Sequence, residues 1–194
     1  MRIPVVAVIV LWLSCLVGCG AGGGSTLSSV KANADIAFMG DSITYGWSLP
    51  TTNFGVSGNT TTQMRTRFKF DVLGHGYKAV VILGGTNDMR FLTESLDAGV
   101  ADAIANLQAM AEDAETEKML VVLCEIPPMA DNDDRVVAMN AAIIALAKTN
   151  HYRLVDYYTP MAGHSEYFVD GIHPNSYGYF VMQEALSKVL PLDY

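Results

Sequence analysis

Ile36-Ala37-Phe38-Met39-Gly40-Asp41-Ser42 is the stretch that decides the fold of this chain. Its first four residues are apolar without alternation, which is the pattern of a strand buried on both faces. Gly40 supplies a tight turn, and Ser42 follows it at once. A Ser just past such a strand is exposed at the carboxyl edge of the sheet, where open α/β sheets bind ligands. Ala79-Val80-Val81-Ile82-Leu83 repeats the pattern, and so does Met119-Leu120-Val121-Val122-Leu123-Cys124, which Pro127-Pro128 stops. Residues 53–56 and 152–155 read as shorter strands. Between the strands the spacing predicts helices over 60–73, 94–112 and 134–149. The helix at 94–112 carries Val100, Ile104, Leu107 and Met110 on one face. A last helix spans 175–190, with Asn175 or Ser176 as its cap. Alternating strands and helices with unbroken apolar strands predict an α/β domain, its parallel sheet covered on both faces.

A second short segment bears on chemistry. Asp170-Gly171-Ile172-His173-Pro174 places a carboxylate three residues before a His. A hydroxyl nucleophile, a base and a carboxylate that orients the base make up a hydrolase triad. Ser42, His173 and Asp170 are the candidates. Taken alone, each piece has a plainer reading. Gly-Asp-Ser after a strand can be only a turn with a helix cap, and Asp-Gly before His-Pro only a loop.

Four segments in order carry a resemblance that neither piece carries alone. They are Gly40-Asp41-Ser42-Ile43, then Asn53-Phe54-Gly55-Val56-Ser57-Gly58-Asn59-Thr60, then Gly84-Gly85-Thr86-Asn87-Asp88, then Asp170-Gly171-Ile172-His173-Pro174. In this the chain resembles the SGNH hydrolases, also called GDSL-type esterases and lipases. The first segment departs slightly, with Ile43 where the family has Leu. The resemblance implies a three-layer flavodoxin-like fold and hydrolysis of carboxylic esters. It also implies an oxyanion hole made of the Ser42 and Gly58 backbone N–H groups and the Asn87 side-chain amide. Those roles of Gly58 and Asn87 come from the resemblance and not from spacing. No metal and no cofactor is expected. His75, His151 and His164 show no metal-ligand spacing, and there is no P-loop or G-x-G-x-x-G.

The N-terminus points to export. Met1-Arg2 is followed by an apolar run from Ile3 to Leu13, too short for a comfortable membrane span. Leu16-Val17-Gly18-Cys19 resembles the lipobox of bacterial lipoproteins. That resemblance implies a signal peptide over 1–18, lipid on Cys19, and a Gly/Ser-rich tether over 19–33. A plain signal peptide or an uncleaved anchor is the alternative. Gly20 after the Cys resembles sorting to the outer membrane. The remaining chain, 34–194, is the expected hydrolase domain. Cleavage leaves roughly 176 residues, one domain of ordinary size. With Cys15 removed and Cys19 lipidated, only Cys124 keeps a free thiol, so no intramolecular disulfide is expected. A formal net charge of −8 without a basic cluster speaks against nucleic acid as a partner.

The expected substrate is a short acyl ester, such as acetyl on a carbohydrate. The domain leaves little sequence for a lid, and Tyr45, Trp47, Tyr167 and Phe168 are expected to close the pocket; the alternatives are that some of them pack on the core and that Trp47 forms a groove wall. Two other readings stay open. One is a lysophospholipase or longer-chain esterase. The other is a non-catalytic surface lipoprotein that binds glycans or a partner through the same fold.

Overall fold

The computed structural model describes residues 34–190. The expected signal peptide, Cys19 and the tether lie outside the described residues. Five strands form one sheet: β1 (Ile36–Gly40), β2 (Thr52–Gly55), β3 (Ala79–Leu83), β4 (Leu120–Cys124) and β5 (Arg153–Val155). Every pairing is parallel, and the order is β2-β1-β3-β4-β5. This is the flavodoxin-like order, with its switch point between β1 and β3. All of β1 and β3 and most of β4 are buried, so their side chains on both faces must be apolar. The edge strands β2 and β5 are only partly buried, and their sequences are correspondingly more polar.

The helices are α1 (Ser42–Tyr45), α2 (Thr61–Asp71), α3 (Thr86–Arg90), α4 (Leu96–Thr116), α5 (Asp133–Asn150) and α6 (Ser176–Ser187). Right-handed crossovers send α2, α4 and α5 to one face of the sheet and α1 to the other. The hydroxyl of Tyr179 on α6 donates to the Ile43 carbonyl of α1 at 2.9 Å, which sets α6 on the α1 side. The result is three layers, as expected.

Ser95 caps α4 by accepting from Ala98 N–H. The most buried stripe of this helix is Ala103, Leu107, Met110, Ala111 and Ala114, while Val100 and Ile104 pack at its margin. Asn175 caps α6, taking the N–H groups of Tyr177 and Gly178. Two helices, α1 and α3, were not expected from the sequence. Each is a turn or so long, too short to show periodicity.

Trp47 departs from its expected place. It is buried in the core, stacked on Tyr179 at 6.0 Å and edge-on to Phe38 and Tyr157. An indole gains more from burial among three aromatic rings than from a wet rim position. Tyr167 and Phe168 are half-buried against the core, and of the four aromatics Tyr45 alone is widely exposed. Cys124 is a buried thiol, pushed well up by desolvation, which fits a core residue rather than a nucleophile.

Candidate active site

Ser42 is the first residue of α1, two residues past the end of β1. Its backbone N–H belongs to the first helical turn and has no acceptor within the helix. Gly40 makes the sharp exit from the strand possible. A Cβ there would fall onto the Thr44 side chain and 2.9 Å from the Leu83 carbonyl oxygen. Asp41 caps α1, its Oδ1 accepting from Ile43 N–H at 2.9 Å. The carboxyl of Asp41 is buried, and desolvation pushes its pKa up to about 7, with Asp88 adding to the rise.

His173 arrives from the far end of the chain. Asp170 Oδ1 accepts from the backbone N–H groups of Ile172 at 3.1 Å and His173 at 2.9 Å. Asp170 Oδ2 lies 2.8 Å from His173 Nδ1. Val169 N–H donates to the His173 carbonyl at 2.8 Å and closes the loop at its base. Ala130 N–H donates to the Gly171 carbonyl at 3.0 Å and ties the loop to the segment after β4. The ring is thus held by Nδ1, and its Nε2 stands 2.9 Å from Ser42 Oγ. With Nδ1–H donating to the carboxylate, Nε2 is left to accept the seryl proton. The bonds to the His173 backbone and ring hold the Asp170 carboxyl down at about 2.

The two other implicated residues lie in the turn after β2 and in α3. Gly58 has φ of +80°, and nothing lies within 4 Å of where its Cβ would be. That left-handed conformation is what Gly supplies without strain. Asn87 lies in the first turn of α3 and is buried. Its Nδ2 donates to the Asn59 carbonyl at 3.0 Å and approaches Asp41 Oδ2 at 3.4 Å. The first is a sound hydrogen bond and the second a long one, so the amide's second N–H is only loosely engaged. The neighbouring Asp88 takes the N–H of Thr61 at 3.0 Å and its hydroxyl at 2.6 Å, binding α3 to the start of α2.

The sequence motifs do not mark Arg67. Arg67 on α2 donates to the Gly40 carbonyl, to Asn59 Oδ1 and to Asp71. The available signal was its place on the helix. Arg67 lies one turn after Met64, at the edge of the buried stripe of Thr61, Met64 and Phe68.

Among the described residues, no group of three or more His, Cys, Asp or Glu could hold a metal ion, and no helix is long and apolar enough to cross a membrane. His164 pairs with Glu166 at 2.8 Å and stacks on Tyr167, outside the array around Ser42. A cavity of about 260 Å³ lies beside the Asp170 loop, lined by Pro128, Met129, Tyr158, Met161, Phe168 and Gly171 among others. None of Ser42, Gly58, Asn87 and His173 lines it, so it is not the space over the nucleophile.

A flavodoxin-like parallel sheet carries Ser42, His173 and Asp170 in hydrogen-bonded line at its carboxyl edge. The chain belongs to the GDSL-like lipase/acylhydrolase family, whose model matches residues 48–180, and it is a carboxylic ester hydrolase. The match begins after Ser42. The chain is similar to a GDSL-like lipase from Bacteroides thetaiotaomicron: 31% identity, 79% of this chain and 85% of that one, TM-score 0.70. An acetyl xylan esterase shares the fold at 20% identity, with 80% and 99% of the chains covered and a TM-score of 0.69. So does a variant of an acetyl xylan esterase from Geobacillus stearothermophilus, at 16% identity, 86% and 98% coverage and a TM-score of 0.70. No match was found among curated proteins.

Proposed function

We propose that the protein hydrolyses short acyl esters, acetyl esters of carbohydrates foremost, through Ser42, His173 and Asp170. The observation that carries the triad is the unbroken line Ser42 Oγ–His173 Nε2 at 2.9 Å and His173 Nδ1–Asp170 Oδ2 at 2.8 Å. Ser42 Oγ attacks the ester carbonyl while His173 Nε2 takes its proton. Asp170 keeps the ring in the required tautomer and stabilises the imidazolium. The tetrahedral oxyanion is received by the N–H groups of Ser42 and Gly58 and by Asn87 Nδ2. His173 returns the proton to the departing alkoxide. A water then repeats the cycle on the acyl-enzyme and releases the acid.

Short acyl length is supported by the acetyl xylan esterases among the fold's neighbours. One observation favours the longer-chain reading instead. Tyr45, Phe91 and Val169 are exposed, and each stands within four residues of Ser42, Asn87 or Asp170. The test is kcat/KM along p-nitrophenyl esters of two to twelve carbons, kept below micelle formation, with Ser42→Ala as control. Preference for two to four carbons supports the proposal; a steady rise with length assigns the protein to the lysophospholipase class. Ser42→Ala should lower kcat by several orders of magnitude while the fold persists.

We also propose that the mature protein starts at Cys19, carries lipid there, and is held at the bacterial envelope, in the outer membrane. The lipobox-like Leu16-Val17-Gly18-Cys19 and the Gly-rich segment after it support this.

A further inference from the structure

We infer that Arg67 is a positioning residue that sets the oxyanion donors by clamping the Gly58–Asn59 turn to the end of β1; this rests on the ester-hydrolysing reading above. Its guanidinium makes three bonds in three directions. Nη2 donates to the Gly40 carbonyl at 2.8 Å, Nε to Asn59 Oδ1 at 2.8 Å, and Nη1 to Asp71 Oδ2 at 2.6 Å. Gly40 is the last residue of β1 and stands two before Ser42. Asn59 follows Gly58, and its carbonyl accepts from Asn87 Nδ2 at 3.0 Å. One rigid plane therefore joins the backbone two residues before Ser42 to the side chain of the residue after Gly58, whose own carbonyl orients Asn87.

The Gly58 turn needs such a tie. No atom within 4 Å of a Cβ at Gly58 would hold it by packing. Besides the Asn87 amide on the Asn59 carbonyl, it is tied by neutral backbone bonds, Val56 N–H on the Gly40 carbonyl at 3.1 Å and Asn59 N–H on the Val56 carbonyl at 3.2 Å. Charge-assisted bonds from a planar guanidinium are shorter and stronger than these. A role confined to the helix would require only Asp71, one turn along. Yet the Arg67 side chain is only 19% exposed, and two of its three bonds leave the helix. Lys could not substitute, because a point charge cannot hold two acceptors in a fixed fork.

The test compares wild type, Arg67→Ala, Arg67→Lys and Asn59→Ala on p-nitrophenyl acetate. Three quantities are read: kcat and KM, inhibition by an aryl trifluoromethyl ketone that forms a tetrahedral adduct on Ser42, and the thermal midpoint. Misplaced oxyanion donors weaken tetrahedral species more than bound ester. Arg67→Ala should lower kcat by about ten- to hundredfold with KM changed less than about threefold, and weaken the ketone by a similar factor. Arg67→Lys should recover little of this, and millimolar guanidinium ion should restore part of the Arg67→Ala activity. Asn59→Ala removes only the side-chain acceptor and should reproduce part of the kcat loss, even if Arg67→Ala does not fold. The double variant should fall no further than Arg67→Ala. An Asn59→Ala enzyme with unchanged kcat, or an Arg67→Ala enzyme with normal ketone affinity, overturns the inference. If wild type lacks turnover, or Ser42→Ala keeps it, the ester-hydrolysing reading itself fails and this one with it.

Discussion

Asp170 is joined to His173 twice: Oδ1 takes the backbone N–H at 2.9 Å, and Oδ2 faces ring Nδ1 at 2.8 Å. One carboxylate therefore fixes both the turn that carries the His and the tautomer of its ring. This happens on an exposed loop, with the Asp170 side chain 53% accessible. The orientation of the base depends on local hydrogen bonds and not on burial.

Asp170→Asn separates those two jobs. The Asn oxygen can still accept the backbone N–H groups of Ile172 and His173. An amide in place of the second oxygen can no longer both orient Nδ1–H and stabilise the imidazolium. We expect kcat to fall by about three to four orders of magnitude with little change in thermal stability. A loss of less than tenfold would contradict the role. The Asp170 carboxyl sits at about 2, below its ordinary value. Its favourable pairing is therefore present above about pH 4 and lost as pH falls through about 2. Protonation of Asp170 should not limit activity above about pH 3.

The buried Asp41 works in the opposite direction. Its folded pKa of about 7 lies above the unfolded value, so the native state holds the extra proton between about pH 4 and 7. Stability should fall as pH rises through that window and level off above it, by at most about 4 kcal/mol. Asp41→Asn keeps the cap acceptor and removes the titration. The wild-type minus variant difference in unfolding free energy, measured by urea melts from pH 4 to 8, should decline with pH. A flat difference would refute this.

Asn140 is a structural counterpart with no part in the chemistry. Its Oδ1 accepts from Ile126 N–H at 2.8 Å and its Nδ2 donates to the Ile126 carbonyl at 2.9 Å, all buried. Asn140→Ala leaves both backbone groups of Ile126 without partners. We expect a loss of about 2–4 kcal/mol in unfolding free energy, read by denaturant titration. Normal KM in the folded fraction should accompany it.

Cys19→Ala tests the envelope anchor. The wild-type chain expressed in a bacterium should partition into detergent and carry acyl mass at its N-terminus. The variant should lose both. Two or three acyl chains hold a protein far more firmly than one, so the difference should be near complete. A wild-type protein cut elsewhere and free of acyl mass would rule the anchor out.

The sheet was legible because β1, β3 and β4 are buried on both faces, which forces unbroken apolar runs such as Ala79–Leu83. Helix ends were legible where a side chain makes the cap, as at Asn175. The segments α1 and α3 were not, since four or five residues carry no period. The place of Trp47 was left open because an aromatic in a connecting segment can close a pocket or fill a core, and only the neighbouring rings of Phe38, Tyr157 and Tyr179 decide.

By itself, the sequence determined the parallel α/β frame and the residue types at its carboxyl edge, because strand burial and short local motifs are written in neighbouring positions. The tertiary structure alone decided which atoms meet. Ser42 and His173 lie 131 residues apart in the chain and 2.9 Å apart in space. Arg67 finds its acceptors on Gly40 and Asn59 only once β1 and the turn after β2 lie side by side. Such distances depend on the register of parallel strands and the path of crossovers, which no local pattern encodes.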